Sequence, residues 1–192
     1  MARLRPLTHS ELTGDQADVW DSIVDSRGGS LDLLGEDGGL IGPFNAFVHS
    51  PEIGKRLSSL GGLLRFRSSI ERRLSEVVIC TVGSKWHSEF EFFAHAAMAL
   101  EHGVAASVID ALREGRQPEF ELDDERIVHA VTYQLLTDRR VDDSTFAEAE
   151  ALLGETGIVE LSALVGYYCL ISMMLNLFEV PLPGDAAPSW PR

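Results

Sequence analysis

Three side chains close together in the sequence have the types that move protons: Ser88, Glu91 and His95. On a helix they fall at i, i+3 and i+7 and share one face. Upstream, Glu76 stands alone inside the apolar run LSEVVICTVG, and Trp86, Phe90, Phe92 and Phe93 add aromatic surface around the downstream group. A carboxylate and an imidazole held together in apolar surroundings form an acid/base pair, because burial and partnering move both pKa values toward neutrality. The same residues have a plainer reading. A Glu/His pair one turn apart is common on solvated helices, and Glu76 also fits the flank of an amphipathic helix. If Glu76 is buried, it needs His, Arg or Tyr beside it, or it must act as an acid.

These groups must be positioned by helices. Ser69 is expected to cap a helix carrying Glu76, with Arg72 and Arg73 on its outer face and Leu74, Val77, Val78 and Val82 inward. The helix carrying His95 is expected to end near Gly103, a favourable residue just past a C-terminus. Earlier, Thr13 or Asp15 caps a first helix running to Val24, and a Gly-rich connector, RGGSLDLLGEDGGLIG, is expected to fold over a neighbouring feature. The segment GPFNAFVHSPE holds Asn45 and His49 four residues apart, either as pocket walls or as a capped helix joint. A helix begins at Ser50 and Pro51. Its Gly61 and Gly62 weaken it and are read as places of close helix approach.

Beyond Gly103, further helices are expected over VAASVIDALREG, FELDDERIVHAVTYQLLTDRR and DDSTFAEAEALLGETG. His129, among apolar residues, reads as a satisfied core group. The last helix, Ile158 to Val180, is apolar around nearly its whole circumference and is expected to be buried on all sides. Its Tyr168, Ser172 and Asn176 form a polar stripe at i, i+4 and i+8 that either holds helices in register or lines a pocket. No β pattern is present, so the fold class is all-α. The expected division is an arm, first helix and Gly-rich loop over 1–40, a helical domain over 41–183, and a Pro-rich tail over 184–192.

Bulk properties narrow the function. The 192 residues are 45% hydrophobic and 24% charged, with a formal charge of −14. Such an acidic surface repels nucleic acid and anionic lipid, so neither is an expected partner. The segment from Ile158 to Phe178 has about the length of a spanning helix, but Glu160, Asn176 and the lack of basic flanks favour a core or subunit-interface helix. Cys80 and Cys169 lie in apolar runs without metal-type spacing. They read as free buried thiols in a reducing cytoplasm, and the N-terminus lacks the apolar stretch of a secretory signal. No Gly-rich nucleotide motif or zinc motif occurs, and no cofactor or metal is expected.

The order Glu76, Ser88, Glu91, His95, followed by an Ala-rich turn into EHGVAASVIDALREG, resembles the carboxymuconolactone decarboxylase family, which includes the alkylhydroperoxidase D-like (AhpD-like) proteins. Its peroxidase branch carries E-x11-C-x2-C-x3-H; here the frame Glu76-x11-Ser88-x2-Glu91-x3-His95 is kept and both cysteines are replaced. The resemblance runs from about Leu7 to Pro183 and is to the branch lacking the cysteine pair. It implies an AhpD-like helical bundle that assembles into dimers, trimers or hexamers. On this template Glu76, Glu91 and His95 are the catalytic candidates, with Glu76 supporting His95, and Trp86, Ser88, Asn45 and His49 bind the small-molecule substrate. Three functions follow: a cofactor-independent lyase or isomerase acting on a small carboxylic acid or lactone, an alkylhydroperoxidase-like antioxidant protein, or a non-catalytic oligomeric binding protein. The dithiol mechanism of the peroxidases is closed to a chain with Ser88 and Glu91 in the cysteine positions.

Overall fold

In the computed structural model, which describes residues 2–26 and 33–190, every regular element among the described residues is helical. After a short 3-10 turn come α1 (Gly14–Ser26), α2 (Phe44–His49), α3 (Pro51–Phe66) and α4 (Arg72–Trp86). They are followed by α5 (Glu89–Glu101), α6 (Ala106–Arg113), α7 (Asp123–Thr137) and α8 (Asp143–Leu177). The first part of the Gly-rich connector lies outside the described residues. Its remainder forms two isolated bridges, Thr8 with Gly39 and Leu34 with Leu40.

The centre of the bundle is α4, packed by α5, α6, α7 and α8. Every residue from Leu74 to Ser84 is buried, including Glu76 and the hydroxyls of Thr81 and Ser84. Those hydroxyls are satisfied within the helix or by its neighbour: Thr81 Oγ1 donates to the Val77 carbonyl at 2.7 Å and Ser84 Oγ to that of Leu112 at 2.6 Å. A helix with polar residues can therefore be the most enclosed one when each polar atom finds a partner.

Within the protomer the last helix, expected to be buried on all sides, is covered on one side. Leu161, Leu164, Val165, Tyr168, Ile171 and Leu175 face the core, but Val159, Ala163, Gly166, Met173 and Leu177 are exposed within the protomer. The two C-terminal helices expected from the sequence are continuous except at Gly154, whose φ of 67° breaks the helical path. Gly157, the last residue of the expected DDSTFAEAEALLGETG helix, is helical and buried.

Two other sequence expectations change. Ser69 does not cap α4, which begins at Arg72 after Glu71; its N–H and hydroxyl instead donate to Glu160 of α8, at 2.7 and 2.6 Å. Arg72 and Arg73 do not lie on an outer face. Arg73 reaches Asp124 and Glu125 in the first turn of α7, both at 2.7 Å, and so ties α4 to α7. Arg72 turns inward to the site. The close approach expected at the α3 glycines is real at Gly61, where a Cβ would fall 2.3 Å from the Tyr167 hydroxyl, and absent at Gly62. The C-terminal tail is pinned by Glu89, whose carboxylate accepts from the backbone N–H groups of Ser189 and Trp190.

Candidate functional site

The site is built where α4 and α5 pack as an antiparallel pair. His87 closes α4 in a left-handed conformation (φ 45°), and the Ser88 N–H donates to the Gly83 carbonyl at 2.9 Å. This tight turn folds α5 back along α4. Ser88 is therefore the residue that starts α5 rather than one within it. Its buried Oγ makes no hydrogen bond.

The fold-back brings Glu76 of α4 against His95 of α5. The His95 ring is bracketed by two carboxylates: Nδ1 lies 2.6 Å from Glu76 Oε2, and Nε2 lies 3.1 Å from Glu91 Oε1, one turn earlier on α5. Glu76 is 0% exposed, Glu91 3% and His95 6%. The ring edge meets Tyr168 of α8, with centroids 5.1 Å apart in a T-shaped contact. So α4, α5 and α8 each contribute a wall.

Burial of the three groups sets their electrostatics. Burial alone pushes the His95 imidazole down, but the charge and hydrogen bond of Glu76, with those of Glu91, outweigh it and hold the pKa above its ordinary value. Burial likewise pushes Glu76 up, and the charge and hydrogen bond of His95, then Arg72 and Arg65, more than reverse it. The shift favours the imidazolium, whose two N–H groups face the Glu76 and Glu91 side chains. A neutral imidazole carries one N–H and could satisfy only one of them.

Arg72 completes the pairing of Glu76. It lies one turn before Glu76 on α4, with Nη2 2.9 Å from Oε1. The approach is close but misaligned for a hydrogen bond, so Oε1 has a neighbouring charge without a donor aimed at it. Glu76 thus has the partners that a buried carboxylate requires.

The remaining sequence candidates lie elsewhere. Asn45 accepts from the Leu7 N–H at 3.1 Å and donates to the Arg5 carbonyl at 3.0 Å, and His49 Nε2 lies 3.0 Å from that same carbonyl. Both hold the N-terminal arm against α2. Trp86 is 38% exposed and lines a cavity of about 380 Å³ with His87, Phe90, Asn176 and Trp190, whose walls do not include Glu76, Glu91 or His95. The polar stripe of α8 divides: Tyr168 meets His95, Ser172 Oγ is buried without a partner, and Asn176 donates to the Trp86 carbonyl at 2.9 Å.

Sequence reasoning missed Arg72 as a site residue, although its spacing to Glu76 is that of a helical ion pair. His129, set aside as a core group, is buried with Nδ1 3.0 Å from Thr81 Oγ1. Cys80 is fully buried one turn after Glu76, and burial together with the charges of Glu76 and Glu91 pushes its thiol well above the ordinary range. Among the described residues no three His, Cys, Asp or Glu side chains are arranged to hold a metal ion. In the Glu76–His95–Glu91 group the ring nitrogens are spent on the carboxylates instead of converging with them.

No family model matches the sequence, and no curated protein matches it. Solved structures do. An uncharacterized peroxidase-related protein from Ralstonia eutropha, described as an alkylhydroperoxidase AhpD core, superposes with a TM-score of 0.73 at 13% identity, covering 96% of this chain and 93% of its own. A protein of unknown function from Agrobacterium tumefaciens, whose description suggests an antioxidant defence protein AhpD, superposes with a TM-score of 0.65 at 16% identity. That match covers 73% of this chain and 97% of the other. With its helical bundle and these two likenesses, the chain has the AhpD-like fold.

Proposed function

We propose that the protein is a cofactor-independent lyase or isomerase that moves protons on a small carboxylic acid or lactone. One observation carries this reading: a single imidazole held between two buried carboxylates on consecutive helices. Glu91 and His95 exchange protons with the substrate. The carboxylate of Glu91 takes a proton from a carbon beside a carbonyl, and the imidazolium of His95 returns one, either there or at the carbon from which carbon dioxide departs. Glu76 is the positioning residue, fixing the ring through Nδ1 and sustaining its charge.

The likeness to the two AhpD-like structures supports a second reading, an alkylhydroperoxidase-like antioxidant protein. Its chemistry needs an accessible thiolate and a resolving thiol. Ser88 and Glu91 occupy those positions, and Cys80 is buried with its thiol held protonated. Thiol alkylation separates the two readings: proton-transfer activity survives it and peroxidase activity does not. A third, non-catalytic binding protein, predicts ligand binding with every turnover assay unchanged in Glu91→Gln and His95→Ala.

Self-association belongs to the same proposal. Val159, Ala163, Gly166, Leu170, Met173 and Leu177 recur at alternating spacings of four and three along α8. This is the pattern of a helix seam, with small residues where backbones could approach. A second copy of the chain packed along it supplies the burial that the protomer leaves incomplete on that face.

A further inference from the structure

Arg65, near the C-terminal end of α3, makes no ion pair among the described residues, in a molecule with 30 acidic side chains. Its Nη2 points instead at the Met98 thioether, 3.1 Å away, and its Nε is buried with no partner. Arg72 stands beside it: Nη1 donates to the Arg65 carbonyl at 2.9 Å, and Nη2 lies 3.8 Å from the same Met98 sulfur. Both guanidinium groups flank the Phe66 ring, at 5.2 and 5.5 Å from its centroid. Two like charges therefore converge on a weak acceptor.

Met98 occupies the position that an anion would fill. Its side chain is unbranched and adaptable, so its sulfur can be moved aside at little cost. A planar carboxylate there would receive charge-assisted hydrogen bonds from both guanidinium groups. Phe66, 60% exposed, supplies an apolar surface beside them. Met98 also follows His95 by three residues on α5, and Glu91, His95 and Met98 share one helix face. An anion in place of the sulfur would sit one helical turn from the His95 ring. Arg65 and Arg72 bring two permanent positive charges to this place within an acidic protein.

We infer that Arg65 and Arg72 form the binding site for the carboxylate of a small organic acid with an apolar body, which displaces the Met98 sulfur and lies beside His95. The role of this site in turnover rests on the proton-transfer reading above; binding itself does not.

Benzoate, titrated calorimetrically into the full-length protein at pH 7, tests it, with inorganic phosphate as the comparison. Saturable benzoate binding is expected, with phosphate at least tenfold weaker. Loss of one charge-assisted contact predicts that Arg65→Gln weakens benzoate by about tenfold to a hundredfold, while Arg67→Gln on the neighbouring surface leaves it unchanged. Arg65→Lys, which keeps the charge and loses the fork, falls between. Unchanged melting and circular dichroism in Arg65→Gln excludes misfolding, and Met98→Leu, which removes only the sulfur, is expected to retain binding. Absent saturable binding, equal affinity for phosphate, or unaltered affinity in Arg65→Gln overturns the assignment. Benzoate binding that persists in Glu91→Gln while no lactone acid is turned over defeats the function alone. Turnover with a KM untouched by Arg65→Gln defeats the binding site alone.

Discussion

His95 Nδ1 and Glu76 Oε2 meet at 2.6 Å across two consecutive helices, with both side chains buried. The contact fixes which ring nitrogen faces Glu91 and raises the pKa of the ring. Much of the expected behaviour follows from it.

Removing one partner leaves the other buried with a single charged neighbour, Arg72 for Glu76 and Glu91 for His95. His95→Ala should destabilise the fold by less than the about 3–5 kcal/mol of a fully orphaned buried charge, because Arg72 still faces Glu76. The double variant Glu76→Gln/His95→Ala should cost less than the sum of its singles. Urea unfolding of the four proteins in this cycle measures the coupling; strict additivity would mean that the contact is energetically idle.

The pair also dictates how stability varies with pH. His95 has a raised pKa in the fold, so its contribution is complete below the ordinary value of 6.5 and is lost as pH rises through the folded value. Glu76 has a lowered pKa, so its contribution is present above the ordinary value of 4.5 and is lost as pH falls through the folded one. The wild-type advantage over Glu76→Gln should therefore be greatest between about 4.5 and 6.5 and shrink on both sides. Denaturation midpoints across pH read this out, and a difference that is flat with pH would contradict it.

Cys80 should be chemically silent. Its thiol is buried and held protonated, so iodoacetamide should modify it in the native protein only at the rate of unfolding. Mass spectrometry with and without denaturant checks this. Rapid native labelling at Cys80 would revive the thiol-based reading.

The adjacent glycines Gly61 and Gly62 of α3 should respond in opposite directions. A methyl at Gly61 would collide with the buried Tyr167 ring, whose hydroxyl donates to the Leu57 carbonyl at 3.0 Å. Gly61→Ala should cost about 1–3 kcal/mol. At Gly62 a methyl meets nothing within 4 Å, so Gly62→Ala should stabilise by up to about 1 kcal/mol. Thermal melts of the two variants decide the matter.

Substitution of the exposed α8 seam should leave the protomer folded and disperse the assembly. Met173→Glu places a charge at a residue that is 47% exposed in the protomer. Light scattering should then show a smaller particle with unchanged helical circular dichroism. An unchanged particle size would overturn self-association along this seam.

How much of this was legible in the sequence depends on whether local spacing or the fold decides. The Glu91–His95 contact is a one-turn helical pair, so the sequence contains it. The Glu76–His95 contact depends on the turn at His87 folding α5 back on α4; no local spacing reveals that, and the kept frame of residues 76, 88, 91 and 95 pointed to it. Arg72 was placed outward because a charged side chain ordinarily favours water, yet buried Glu76 turns it inward. Within the protomer α4 is more enclosed than α8, although α8 looks the more apolar. Enclosure follows position in the bundle, and the polar groups of α4 are satisfied by their neighbours. Asn45 and His49 have pocket-like composition, but their hydrogen bonds hold the arm, a long-range contact that sequence spacing does not encode.

The most direct measurement is deuterium uptake from heavy water at the carbon beside the carbonyl in a panel of lactone acids, followed by proton NMR. The wild-type and thiol-alkylated proteins should both label at least one substrate, with Glu91→Gln and His95→Ala slower by about a hundredfold to ten-thousandfold. Labelling by no member of the panel, labelling lost on alkylation, or labelling indifferent to Glu91→Gln would contradict a proton-transfer site at His95.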